Sequence, residues 1–74
     1  MQVKDVSDAQ VLTLFPACAY EYRRAIDLLT AQGVPEKVAL RKVERLVDRG
    51  WLEYGSTIAC VWLTPCGLVA RQEC

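Results

Sequence analysis

Apolar residues recur at helical spacing in the stretch from Gly33 to Tyr54, around which the rest of the chain is organised. Residues three or four positions apart form one stripe on a single helix face: Ala39, Val43, Leu46 and Val47, with Leu40 at its edge. Pro35 suits the first helical position, and Gly50 follows a last turn that contains a cation. The spacing therefore predicts a helix over 35–49.

A first, shorter helix is predicted near the start of the chain. Ser7 is a good N-cap, and Gln10, three residues later, completes the sequence of a capping box. Val6 and Val11 hold the flanking positions of a hydrophobic staple. These signals predict a helix over 8–15, which ends where a proline follows. The residues before it predict only a short extended arm.

A second helix is predicted between these two, over 17–32. Apolar residues at i, i+3, i+4 and i+7 form its inward stripe: Tyr22, Ala25, Ile26 and Leu29. Gly33 lacks a Cβ atom, so it can take the left-handed conformation that ends a helix. The turn into the next helix is very short, which predicts a steep crossing of two helices, the helix-turn-helix arrangement.

After the third helix, the pattern becomes that of strands. Two short apolar runs, 51–54 and 60–63, flank the connection GSTIA. This spacing predicts an antiparallel hairpin. Thr64 then suits an N-cap and Pro65 the first position of a last helix, over 65–72.

Length and composition favour a single globular domain over residues 1–74. The chain is 53% apolar, enough for a globular core. No apolar run approaches the ~20 residues that a membrane span needs, and the first residues, MQVKDVSD, do not resemble a targeting segment. We therefore expect a cytoplasmic location and no membrane partner. The predicted fold class is mainly α with a small antiparallel β-hairpin.

Two stretches of the chain resemble winged helix-turn-helix transcription regulators. LVDRGWLEYG, residues 46–55, is similar to the end of their third helix and their first wing strand. LTPCGLVA, residues 63–70, is similar to their exit from the wing into a closing helix. The resemblance covers about residues 20–70 and agrees with the predicted order of elements.

This resemblance implies a small transcription regulator whose third helix enters the major groove of duplex DNA, with a homodimer as one expected assembly. Matched residue by residue, the candidates on the third helix are Glu36, Lys37, Arg41, Lys42 and Arg45. The candidate wing tip consists of Gly55, Ser56 and Thr57. On the second helix, Arg23 and Arg24 are candidate phosphate contacts.

The charge balance keeps a second function open. Lys and Arg total 9 and Asp and Glu total 9, so the net charge is zero, whereas nucleic-acid binders are usually basic. Small stand-alone proteins of this size resemble phage-encoded regulators of host RNA polymerase, and a neutral charge fits that role better. The alternative is therefore a winged-helix protein-docking module that binds a component of the transcription machinery, with Trp62 as its first candidate anchor.

The cations of the third helix also have an ordinary explanation as a solvated helix face. Glu44 and Asp48 occupy neighbouring helical positions, where they would neutralise part of the positive charge. The residue pattern alone leaves this explanation open beside DNA binding.

Neither catalysis nor metal binding is predicted. The chain has no histidine, and its cysteines form no close C-x-x-C pair: Cys18, Cys60, Cys66 and Cys74. A nucleophilic cysteine would lack an imidazole partner. We therefore expect no enzyme activity, metal or cofactor, and we interpret the cysteines as three small, mostly buried side chains and one reduced terminal thiol.

The helix phase predicts a stability effect at Leu46, which lies on the inward face just before the hairpin. Leu46→Ala should lower the free energy of unfolding by about 2–5 kcal/mol, the usual cost for a buried leucine. That is a large share of the stability of so small a domain. Chemical denaturation measures the loss, and a variant as stable as the wild type would show that this face is exposed.

Overall fold

The computed structural model describes residues 2–73. A 3-10 turn, Val3–Asp5, is followed by α1 (Asp8–Leu12), α2 (Ala25–Ala31), α3 (Glu36–Asp48), β1 (Leu52–Tyr54), β2 (Val61–Leu63) and α4 (Pro65–Glu73). The protein is mainly helical with a two-stranded antiparallel sheet, which confirms the predicted fold class. This arrangement is compatible with a small fold of helices and a hairpin wing. Within residues 2–73, none of the helices has the length and apolar character needed to cross a membrane.

The predicted start of α1 is confirmed, although the helix is shorter than expected. The N–H of Gln10 donates to the Ser7 hydroxyl over 3.0 Å. The Gln10 side chain instead donates to Gln32 over 3.0 Å and so links α1 to the end of α2. The helix ends at Leu12 rather than residue 15, and a tighter turn carries Phe15 into the core.

The segment before α1 is not an extended arm as predicted, but contains the 3-10 turn. The N–H of Gln2 donates to the Asp5 carboxylate over 2.8 Å, and the N–H of Val6 donates to the Val3 carbonyl over 3.1 Å. Val6 is buried and holds the turn beside α3. Met1, which belonged to the predicted arm, lies outside the described residues.

The second helix begins at Ala25, not at residue 17, because the preceding segment pairs with β2. The N–H of Arg23 donates to the Val61 carbonyl over 2.7 Å, and the Val61 N–H donates back over 3.1 Å. Tyr20, with φ +68°, donates its N–H to the Leu63 carbonyl over 2.9 Å. The segment thus covers the edge of β2 that β1 leaves free.

This pairing removes Tyr22 from the predicted inward stripe. Its side chain is 61% exposed, whereas Ala25 and Leu29 are fully buried and Ile26 packs against the core. The helical spacing therefore identified the core face of α2 correctly after residue 24. It was wrong at Tyr22, where long-range backbone pairing replaces the local helix.

The third helix agrees closely with its prediction. Pro35 is the N-cap rather than the first helical residue, and α3 continues to Asp48. The predicted apolar face is confirmed, with Leu46 fully buried. Gly33 and Gly50 have φ of +95° and +80°, the left-handed conformation expected at the two helix ends.

The hairpin is antiparallel as predicted, although each strand is one residue shorter at its start. Leu52 pairs with Leu63, and Glu53 pairs with Trp62. The buried side of the sheet joins a core made up of Val6, Val11, Leu12, Phe15, Ala25, Leu29, Val34, Ala39, Val43, Leu46, Leu52, Val61, Leu63 and Ala70. Because the residues alternate along each strand, Glu53 and Trp62 lie on the outer side.

The junction between the hairpin and α4 depends on Thr64 and Gly67. The N–H of Gly67 donates to the Thr64 hydroxyl over 3.0 Å, which confirms the predicted N-cap. The same hydroxyl donates to the Gly50 carbonyl at the end of α3. A Cβ atom on Gly67 would lie 1.9 Å from the Trp51 carbonyl oxygen, so only glycine fits this close approach.

The close approach at Gly67 predicts that Gly67→Ala is destabilising. Alanine raises helix propensity by about 1 kcal/mol, but its Cβ would overlap the Trp51 backbone, which cannot move aside as a flexible side chain can. We expect a net loss of about 1–3 kcal/mol in the free energy of unfolding. Denaturant titration measures it, with Cys66→Ala as the control.

Cys66 is exposed on the same helix, so Cys66→Ala should change stability by no more than about 0.5 kcal/mol. Equal stability of the two variants would show that α4 can shift away from the hairpin at no cost.

Candidate functional site

Three of the predicted site residues lie together on α3. Lys37, Arg41 and Arg45 are exposed on successive turns of the helix, so their side chains follow one line along its surface. Within residues 2–73, none of the three forms an ion pair. Their positive charge is therefore available to a ligand.

The three cations form one side of a groove between α3 and the 3-10 turn. The groove has a volume of about 620 Å³. Gln2, Val3 and Lys4 line the opposite side, and Val38 of α3 also lines the groove. No Asp or Glu among the described residues lines it. We call this site the cationic groove; its chemistry suits an anionic ligand.

The residue pattern alone does not identify Lys4 as a site residue. It lies in the segment that the sequence predicts to be an extended arm, with no predicted position relative to the third helix. The formation of the 3-10 turn places Lys4 on the groove. The pattern of MQVKDV carries no periodicity from which this contact could be derived.

The acidic residues of α3 lie outside the groove. Glu36, Glu44 and Asp48 are exposed, and none of them lines it. In the described part of the chain, Glu44 and Asp48 make no ion pair with the neighbouring cations. Their spacing suggested that they neutralise part of the positive charge of α3, but they do not do so through direct ion pairs.

The prediction that Lys42 belongs to the site is wrong, because Lys42 does not share the surface of the other cations. Its side chain is buried, with Nζ 2.5 Å from an Asp8 carboxylate oxygen. Arg49 donates to the second Asp8 oxygen over 2.9 Å and also covers the Trp51 ring, 5.2 Å from its centroid. These contacts connect α3 to α1, so Lys42 is a structural residue.

The hydrogen bond from Lys42 is the largest of the effects that lower the pKa of the Asp8 carboxyl below its usual value of 3.8. The positive charge of Lys42 and the contacts with Arg49 add to this effect, while burial opposes it. Asp8 therefore remains ionised at neutral pH and compensates the charge of the buried ammonium group.

Arg23 and Arg24 also lie away from the cationic groove. Arg23 belongs to the segment beside β2, not to the second helix, and pairs with Glu21 over 3.4 Å. Arg24 pairs with Asp27 over 3.0 Å at the start of α2. Both pairs are solvent-exposed, so they hold the side chains only weakly.

The hairpin tip carries the three predicted residues, but no cation. Gly55, Ser56 and Thr57 are exposed. The Thr57 hydroxyl accepts the N–H of Ala59 over 3.2 Å, which closes a local turn. The tip therefore offers hydroxyl and backbone groups to a partner, without the charge that would attract phosphate strongly.

Trp62 lies beside Tyr22 rather than standing free in solvent. The two side chains line a small, mostly apolar hollow of about 310 Å³ next to the hairpin tip. Trp62 is half-buried, and within residues 2–73 its Nε1 atom finds no hydrogen-bond acceptor. This hollow is a second surface with a chemistry that differs from that of the cationic groove.

The cysteines differ from their interpretation as mostly buried side chains. Cys18 and Cys66 are exposed, and Cys60 is half-buried. Cys74 lies outside the described residues. In the described chain, no three His, Cys, Asp or Glu side chains come together as a metal site would require.

Comparison with protein-family models, curated proteins and solved structures finds no match to this chain. The function is therefore inferred from the geometry and charge of the two surfaces.

The Asp8 contacts predict a pH-dependent contribution to stability. Because folding lowers the pKa of Asp8, its stabilising effect is present above the usual carboxyl pKa and is lost as the pH falls through the lowered value. Asp8→Asn should therefore cost about 1–3 kcal/mol at neutral pH, where it leaves the buried Lys42 charge uncompensated. The difference between this variant and the wild type in free energy of unfolding should become smaller in strong acid.

The matched control is Asp27→Asn, which breaks the exposed pair with Arg24. This control should lower the free energy of unfolding by less than about 1 kcal/mol. Denaturation of both variants across a pH series measures the effects, and a loss for Asp8→Asn that persists in strong acid would refute the electrostatic explanation.

Proposed function

We propose that this protein is a small transcription regulator that binds duplex DNA through the exposed side of α3. The supporting observation is the line formed by Lys37, Arg41 and Arg45, exposed and without an ion pair in the described chain. Lys42 and Arg49 are engaged by Asp8 and lie outside this line, whereas Lys37, Arg41 and Arg45 share one side of the groove.

The dimensions of α3 are suitable for this role. Its 13 residues correspond to a length of about 20 Å, and a helix with side chains is about 10–12 Å wide. The major groove of B-DNA is about 12 Å wide and admits such a helix. Arg41, at the middle of the line, is our candidate for a base-edge contact, while Lys37 and Arg45 contact phosphates on either side.

Zero net charge does not conflict with this proposal, because phosphate contacts depend on local charge. The Debye length is about 8 Å at physiological ionic strength. Acidic groups beyond that distance are largely screened. Glu44 and Asp48 lie nearer, on α3 itself, and offset part of the charge, but neither lines the groove, so the cations that do line it still attract DNA. The affinity should be modest and should fall steeply with salt, since released counterions supply most of it.

A second function is supported by the hollow at Tyr22 and Trp62. Tyrosine and tryptophan are enriched at the energetic centres of protein interfaces, and Tyr22 is largely exposed here. The alternative is a docking module that binds a component of the transcription machinery such as RNA polymerase. Both functions correspond to a cytoplasmic location.

The two functions predict opposite responses to a pair of variants. Arg41→Ala should weaken binding to the cognate duplex by about 1–3 kcal/mol and relax specificity at one position. Trp62→Ala, checked for folding, should leave DNA binding nearly unchanged. Fluorescence anisotropy with a labelled duplex at several salt concentrations measures both effects.

Combined replacement of Lys37, Arg41 and Arg45 by alanine should abolish the salt-dependent binding. Retention of DNA binding by this triple variant would eliminate the α3 model. If the folded wild type binds no duplex even at low salt, while Trp62→Ala loses binding to RNA polymerase, the docking function replaces it.

A further inference from the structure

We infer that the cationic groove holds one phosphodiester strand of the bound duplex, and that Lys4 contacts it from the side opposite α3. This inference rests on the proposed DNA binding and adds a second binding element to it. The N-terminal 3-10 turn and α3 would then contact the same strand from two sides.

The first support is the charge on both sides of the groove. Lys4 lies on the turn, and Lys37, Arg41 and Arg45 lie on the helix. Within residues 2–73, Lys4 forms no ion pair. A chain of phosphates is the ligand that can satisfy several cations arranged along a line.

The second support is the order of the segment that carries Lys4. Asp5 and Gln2 exchange hydrogen bonds, with 2.8 Å from the Gln2 N–H to the carboxylate and 2.9 Å from the Asp5 N–H to the Gln2 carbonyl. Val6, the residue that follows the turn, is buried and fixes its end against the core. Lys4 is therefore presented from a defined turn, which reduces the entropy lost when it binds a phosphate.

The acidic residue nearest to Lys4 in sequence does not oppose this role. Asp5 directs its carboxylate to the Gln2 N–H and does not line the groove. Its carboxylate is therefore held by the turn and does not line the space that the strand would occupy.

The third support is the distribution of apolar surface in the groove. Val3 and Val38 line the groove together with the four cations. A nucleic-acid strand alternates charged phosphates with less polar sugars, so cationic and apolar contacts alternate along it. Lys37 and Arg45, the two cations of α3 assigned to phosphates, are about 12 Å apart along the helix axis, since eight residues rise by that distance. This separation leaves room for Arg41 to reach a base edge between them.

The contact at Lys4 would position the protein on DNA rather than read its sequence, because phosphate contacts carry no base information. Lys4→Gln should therefore lower the affinity for cognate and unrelated duplexes equally, by about threefold or more at moderate salt. It should also reduce the slope of log K against log salt by about 0.9, the value for one phosphate contact.

The test compares this variant with a charge-matched change elsewhere. Arg24→Gln removes one positive charge from an exposed pair outside the groove, so it measures the general effect of net charge. Lys4→Arg retains the charge and should retain both affinity and slope. Circular dichroism confirms that each variant is folded, and anisotropy with a duplex oligonucleotide over a salt series measures binding.

A second measurement follows groove occupancy in the wild-type protein. Methyl signals of Val3 and Val38 in a carbon–proton correlation spectrum should shift on addition of the duplex, because both residues line the groove. Poly-glutamate, an acidic polypeptide, is the competing probe and should shift them less at equal charge concentration.

The outcomes separate this inference from the proposed function. Equal effects of Lys4→Gln and Arg24→Gln, or unmoved methyl signals, in a protein that still binds DNA through α3 would overturn the inference alone. Absence of duplex binding by the wild type would overturn both. Shifts with poly-glutamate but not with duplex would assign the groove to an acidic protein segment instead.

Discussion

The backbone of β2 forms hydrogen bonds along both of its edges, and the positions of the other elements depend on this pairing. On one edge it pairs with β1, and on the other it bonds Arg23 and Tyr20. The side chains of Val61 and Leu63 are at the same time fully buried in the core. The strand thus joins the hairpin to the segment between α1 and α2 and sets the point at which α2 can begin.

The charges of this neutral protein are separated by their structural roles. Asp8 engages two cations, Lys42 and Arg49, and connects α3 to α1. The line of cations on α3 remains available on another side of the same helix, facing the 3-10 turn. A net charge of zero therefore conceals a locally basic surface, which is the property that matters for binding phosphates at physiological salt.

The cationic groove and the Tyr22–Trp62 hollow represent two kinds of recognition on one small scaffold. The groove offers charge, so its partner is bound in a salt-dependent way. The hollow offers aromatic surface, so its partner would be bound through desolvation of a few anchoring side chains. We favour the groove as the functional centre because several cations converge on it from two separate elements.

The sequence by itself determined the starts of α1 and α4, both ends and the inward face of α3, and the presence of the hairpin, because caps, glycines and apolar spacing act between neighbouring residues. Ser7, Thr64 and Gly50 are examples. Only the tertiary structure decided that Lys42 is buried against α1 and that Lys4 lines the groove. Both positions depend on which distant segment packs beside α3, and local periodicity carries no information about a partner more than 30 residues away along the chain.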